Sequence, residues 1–185
     1  MIWIFGLFEI YGIVNKDIQP AIGLNYRIRT FGNAFVDANV EARYWSITTD
    51  TMTIAYEGDN VYKFRIINRN LLGNLGLKAG ISISAIEISS QAGISYQYLQ
   101  GILEDTTLTT RNAFNYFVGL GLKIDGFSIG KLFVENPGAL FKYFDVYLDY
   151  RKYRLLSFED INALVFDEPS QIFKEDVRIG ILLRF

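Results

Sequence analysis

Residues 34–46 read AFVDANVEARYWS. Taken alternately, one set is Ala34, Val36, Ala38, Val40, Ala42 and Tyr44, and the other is Phe35, Asp37, Asn39, Glu41, Arg43 and Trp45. A strand sends successive side chains to opposite faces, so a period of two over thirteen residues describes a strand with one apolar and one ionic face. The same period recurs on both sides. Ile22, Leu24, Tyr26 and Ile28 alternate with Gly23, Asn25, Arg27 and Arg29, and Phe114, Tyr116, Val118, Leu120, Leu122 and Ile124 alternate with Asn115, Phe117, Gly119, Gly121 and Lys123.

Weaker alternation predicts further strands at 2–14, 49–57, 61–69, 75–88, 92–101, 127–134, 139–151 and 177–185, and one more within 154–166. A phase change inside 75–88, from Leu77, Ala79, Ile81 and Ile83 to Ile86 and Ile88, reads as a β-bulge. Gly32-Asn33, Gly58-Asp59-Asn60, Ser89-Ser90-Gln91 and Asp125-Gly126 carry residue types suited to tight hairpin turns. Longer connections are expected at 15–20, 70–74, 102–112 and 167–176. Short turns at one end and longer loops at the other is the asymmetry of a membrane barrel. The expected fold is all-β, a single domain over 1–185: a closed antiparallel transmembrane barrel of twelve strands, with ten as the alternative.

Half of the 185 residues are hydrophobic and 16% are aromatic. No apolar run approaches the roughly 20 residues a spanning helix needs, whereas a tilted spanning strand needs about 9–11. The segment Met1 to Val14 has no basic start and no small-residue cleavage site, so it reads as a strand of a mature chain rather than a signal peptide. Without Cys there is no disulfide framework and no thiolate metal site, and without His the commonest general base and transition-metal ligand are missing. Neither an enzyme nor a cofactor is expected. A net charge of −2 gives no reason to expect nucleic acid as a partner.

A soluble ligand-binding barrel also alternates, but it coats its outer face with charge. Here only 21% of residues are charged, and Tyr44, Tyr56, Tyr62, Tyr98, Phe114 and Tyr150 lie on the apolar face near strand ends, where rings form interfacial girdles. The apolar face is therefore expected to meet lipid. At the C-terminus Val177, Ile179, Ile181, Leu183 and Phe185 share one face. With Gly180, Leu183 and the final Phe185 this stretch resembles the C-terminal recognition strand of bacterial outer-membrane β-barrel proteins. The resemblance implies location in the bacterial outer membrane. It also implies membrane lipid and the outer-membrane assembly machinery as partners, with Gly180, Leu183 and Phe185 as the assembly signal.

If the apolar face is outward, the charges line the lumen. The inward basic residues are then Arg27, Arg29, Arg43, Lys63, Arg65, Lys78, Lys123, Arg151, Arg178 and Arg184, and the acidic ones are Asp37, Glu41, Glu87, Asp145 and Asp149. Asp167, Glu168, Glu175 and Asp176 fall in the expected connections. The basic excess predicts a narrow pore that passes small anionic or polar solutes, since a low-dielectric wall focuses one-signed charge along its axis. The same charges can instead pair and fill the lumen. That alternative is a non-conducting anchor or adhesin acting through its loops. Gly119-Leu120-Gly121 sits mid-strand, where glycine more readily admits a bulky neighbour than a phosphate.

Overall fold

The computed structural model describes residues 6–14, 18–54, 61–159 and 161–184. Eight antiparallel strands follow one another around a closed barrel: β1 (Gly6–Val14), β2 (Ile18–Phe31), β3 (Ala34–Ile54), β4 (Val61–Ile83), β5 (Ile86–Leu103), β6 (Thr106–Asp125), β7 (Phe144–Ser157) and β8 (Ser170–Arg184). The circle closes where β1 pairs with β8, with Ile10 opposite Ile181. Helices α1 (Gly126–Gly130) and α2 (Ile161–Val165) lie in the β6–β7 and β7–β8 connections, and a short 3-10 helix spans Ala139–Lys142.

The strand number is eight, not the twelve or ten expected, because four strands are far longer than a membrane requires. β3, β4, β5 and β6 run for 21, 23, 18 and 20 residues. The segment 49–57 begins as a continuation of β3, and its residues 55–57 lie outside the described residues. The expected loop 70–74 lies inside β4, and Ser89-Ser90-Gln91 inside β5, where Ser89 and Gln91 face the lumen and are buried. Polar residues that line the interior have the composition of turns. The segment 127–134 forms α1 and the turns after it, while 154–166 divides between the end of β7 and α2. The phase change within 75–88 is a two-residue hairpin at Ser84-Ala85, with Ile83 opposite Ile86, and not a bulge. Bulges occur instead between Arg27 and Arg29 and at Gly101/Ile102.

Gly32-Asn33 and Ser84-Ala85 turn the chain at one end of the barrel, the turn end. All the excess length of β3–β6 therefore lies at the other, projecting end. Only residues 21–31 of β2 pair with β3, so β3 beyond Arg43 rises past the β1–β2 hairpin. The turn end also holds the β6–β7 connection, which at 126–143 is long rather than the tight Asp125-Gly126 turn expected.

The outer wall is apolar. A row of cross-strand neighbours runs Leu24, Val40, Leu75, Ile94 and Tyr116, each about half exposed. Buried among the inward residues are Asp37, Glu41, Arg43, Asp145, Asp149, Arg151, Asp176 and Arg178. A soluble protein places its charges outside and its large apolar groups inside, and this barrel reverses both. The soluble ligand-binding barrel is thereby set aside.

Candidate functional site

The interior is built in layers along the barrel axis. Nearest the turn end, Arg27 Nε donates to Asp37 Oδ1 at 2.5 Å and its other nitrogen to Glu87 at 3.1 Å, with the guanidinium 4.0 Å above the Phe35 ring. Lys123 Nζ lies 2.8 Å from Glu87 and 3.5 Å from Asp145. Lys78 stands directly opposite Asp37 on the neighbouring strand. Three cations thus face three carboxylates. Between this layer and the next lies a cavity of about 20 Å³ lined by Asn25, Asp37, Lys78, Glu87, Ser89 and Asp149, among others. That is room for roughly one water.

The second layer is fully buried. Glu41 Oε2 accepts from Arg151 and Arg178, each at 2.6 Å, and Glu41 Oε1 accepts from Asn74 at 3.0 Å. Asp149 accepts from Arg151 at 3.0 Å and also from Arg178 and Gln91. Arg43 donates to Asp176 at 2.5 Å, its guanidinium 4.3 Å from the Trp45 ring and 5.0 Å from that of Tyr153. Lys174 Nζ also lies 3.9 Å from Asp176, so four cations meet three carboxylates across β3, β7 and β8. Charges withdrawn from water are tolerated only when paired and hydrogen-bonded in this way.

Above the ions lies an apolar layer of Trp45, Leu72, Phe117, Tyr153 and Leu155, with Ile172 packed against it. The Phe117 ring lies across the neighbouring strands β5 and β4, and glycines there make room for it. A Cβ on Gly93 would fall 2.3 Å from the Leu75 carbonyl oxygen and 2.7 Å from Phe117, and one on Gly76 2.8 Å from the same ring. At Gly119 a Cβ would meet Arg151 Cγ at 2.9 Å, so that glycine admits a bulky arginine.

The last layer consists of Ile66, Leu99, Phe158 and Leu164, so that α2 and the residue following β7 seal the projecting end. Two side-chain amides fasten this plug by imitating a neighbouring strand. Asn68 donates to the Phe158 carbonyl at 2.9 Å and accepts from its N–H at 3.0 Å. Gln97 does the same for Leu156, at 2.8 Å in both directions.

Of the residues expected to line the lumen, Arg27, Asp37, Glu41, Arg43, Lys78, Glu87, Lys123, Asp145, Asp149, Arg151 and Arg178 stand on its inner face. Arg29 does not. The bulge after Arg27 moves it opposite Val36, onto the outer face, where it lies 4.7 Å from the Phe31 ring. Arg65 is exposed on the outer face beside buried Ile66, and its N–H bonds to Glu104 at 2.8 Å. The side chains of Lys63 and Arg184, and Phe185 as a whole, lie outside the described residues. Gly180 is buried on the inner face opposite Tyr147, and Leu183 is half-buried opposite Phe144.

Sequence reasoning missed Asp176, assigned to a connection but buried against Arg43, and the amides Asn68, Asn70, Asn74 and Gln97. Their signal was present: Asn68, Asn70 and Asn74 share one phase of β4. With Arg29 and Arg65 outside and Asp176 inside, the described interior loses its expected basic excess. It is a nearly balanced network of ion pairs that fills the described lumen.

No protein-family model matches the chain, and no curated protein matches it in sequence. Among solved structures, Ail, the attachment invasion locus protein of Yersinia pestis, in complex with the heparin analogue sucrose octasulfate, is similar with a TM-score of 0.52 at 10% identity. The match covers 98% of this chain and 97% of that one. A second crystal structure of Ail gives a TM-score of 0.50 at 11% identity, covering 98% and 95%. The backbone structure of the Yersinia pestis outer membrane protein Ail in a phospholipid bilayer nanodisc matches 99% of this chain and 100% of that one, at 12% identity and a TM-score of 0.46. The fold is that of the small bacterial outer-membrane β-barrels.

Proposed function

We propose that this chain is an integral β-barrel of the bacterial outer membrane whose lumen is closed. It acts as a surface anchor that holds its projecting β3–β6 wall and the connections at that end toward a partner outside the cell. The observation that carries this reading is the filled interior: two charge-paired layers, then two apolar layers, with α2 as a plug. An eight-stranded barrel encloses little more than its own side chains. The sequence-based expectation of a net-basic pore is replaced accordingly. The wall of β3–β6 exceeds the roughly 9–11 residues of a spanning strand by about ten residues, which supports a broad sheet projecting beyond the membrane. The similarity to Ail, described as an attachment invasion locus protein, points to the same class of work. No bond-making chemistry is part of this reading.

The test is electrical. Folded protein in a planar bilayer is expected to show no discrete conductance steps in either salt gradient direction. Reproducible steps from protein shown to be folded by gel mobility without heating would return the pore to favour.

A further inference from the structure

We propose that the tip of the β6–β7 connection is a foot that enters the membrane. Leu132, Phe133 and Val134 insert at the acyl-chain boundary of the leaflet at the turn end, while Lys131 and Lys142 lie level with its phosphates. The proposal rests on the outer-membrane reading above.

Leu132 and Phe133 are 80% and 81% exposed, the two most exposed large apolar residues among those described, and Val134 beside them is 52% exposed. Three adjacent apolar side chains displayed at a loop tip mark an interaction surface rather than chance exposure. The tip is held in place. Asp125 caps α1 by accepting from the Ser128 N–H at 2.9 Å and its hydroxyl at 3.1 Å. Gly130 packs so closely on Pro137 and Phe141 that a Cβ there would lie 2.8 Å from each.

On the donor side the backbone of the tip is prepared for leaving water. Every N–H from Lys131 to Val134 is satisfied within the connection: by Phe127, Ile129 and, for both Phe133 and Val134, Gly130, at 3.0–3.1 Å. In a medium without hydrogen-bonding solvent, unsatisfied backbone groups are what keep a loop out. Lipid is the occupant because the connection that carries the patch packs on the lipid-facing wall. Phe141 stacks on Phe144, 5.4 Å between ring centres, and Phe144 stands on the outer face of β7 in line with Val146 and Leu148. The charges agree with a headgroup. Lys131 and Lys142 lie 5.0 and 5.5 Å from the Phe127 ring and so converge on it, Lys131 directly preceding the patch in the chain and exposed Glu135 directly following it. Basic side chains flanking apolar ones at a membrane surface reach the phosphates while the apolar groups enter the chains.

The chain has no cysteine, so Phe133→Cys and Val40→Cys each introduce a single site for a spin label. The full chain is folded into vesicles of phosphatidylethanolamine with phosphatidylglycerol, and collisions of each label with dissolved oxygen and with a water-soluble nickel chelate are compared. Label at position 133 is expected to collide preferentially with oxygen, at a shallower depth than label at 40. Adding Lys131→Gln and Lys142→Gln should shift it toward the nickel chelate in these anionic vesicles and leave it unchanged in phosphatidylcholine alone. Label at 133 in water while that at 40 is in lipid overturns the foot and spares the barrel. Spin–spin broadening at 133, showing a second copy there, also overturns it. Label at 40 in water overturns the outer-membrane reading and the foot together.

Discussion

Glu41 is the residue whose removal separates a dry lumen from a wet one. Its carboxylate accepts from Arg151 and Arg178 at 2.6 Å and from Asn74 at 3.0 Å, and it is 3% exposed. Glu41→Ala leaves Arg151 and Arg178 sharing Asp149, one carboxylate for two buried guanidiniums. Breaking a buried pair by deleting one partner costs about 3–5 kcal/mol, whereas an exposed pair is worth about 0–1 kcal/mol. The first figure corresponds to a loss of at least a hundredfold in the folding constant. Urea unfolding of protein reconstituted in lipid vesicles measures it as a fall in midpoint at constant slope. Exchanging the pair together, as Glu41→Met with Arg178→Met, is expected to recover much of the loss, because no uncompensated charge then remains from that contact. A Glu41→Ala variant within 1 kcal/mol of the parent would mean that water reaches these guanidiniums. The closed-lumen reasoning would then be wrong.

Three further expectations concern other parts of the wall. Val40→Arg, within the outer apolar row, should lower folding stability in lipid by roughly 2–4 kcal/mol while the same change at exposed Asn112 has little effect, as read from urea midpoints in vesicles. Gly101→Ala brings a Cβ to within 2.2 Å of Leu164 and 2.8 Å of Phe158. It should loosen the plug by about 1–3 kcal/mol of overpacking, seen as faster proteolysis within 158–168, and Leu164→Ala should relieve it in the double variant. Ser84 holds a φ of 56°, in the left-handed region where a side chain costs about 1–2 kcal/mol, so Ser84→Gly should raise the urea midpoint. A lowered midpoint would count against strain at that turn.

The two-faced character of the wall was legible from residues 34–46 alone, because alternation depends only on the geometry of a strand. The number of strands was not. In a soluble sheet an Asn-rich or Ser-rich stretch interrupts a strand, but here Asn68, Asn70 and Asn74 are interior residues of β4. The same residue types mean turn in one solvent and lumen in another. The charge balance failed for a related reason. One bulge between Arg27 and Arg29 inverts a face, and nothing in that stretch marks where the extra residue falls. The pairs themselves join positions as far apart as Glu41 and Arg178, separated by 137 residues, and only the circular closure of the sheet brings them together.

That closure has a consequence for how the molecule forms. β3 brings Glu41 and Arg43 into the nascent wall early in the chain, but their partners Arg178 and Asp176 arrive on β8, the last strand. Until β8 docks between β7 and β1, the incomplete sheet must keep its inner face hydrated, since Arg43 then lacks Asp176 and Glu41 has only Arg151 of β7. Sealing the ring and drying the interior are therefore a single event, the final one in assembly. Reversal requires β8 to separate while three guanidiniums and three carboxylates regain water in concert. Such an opening has no partial stage, so the barrel should persist under conditions that would slowly erode a protein of equal equilibrium stability built from local contacts.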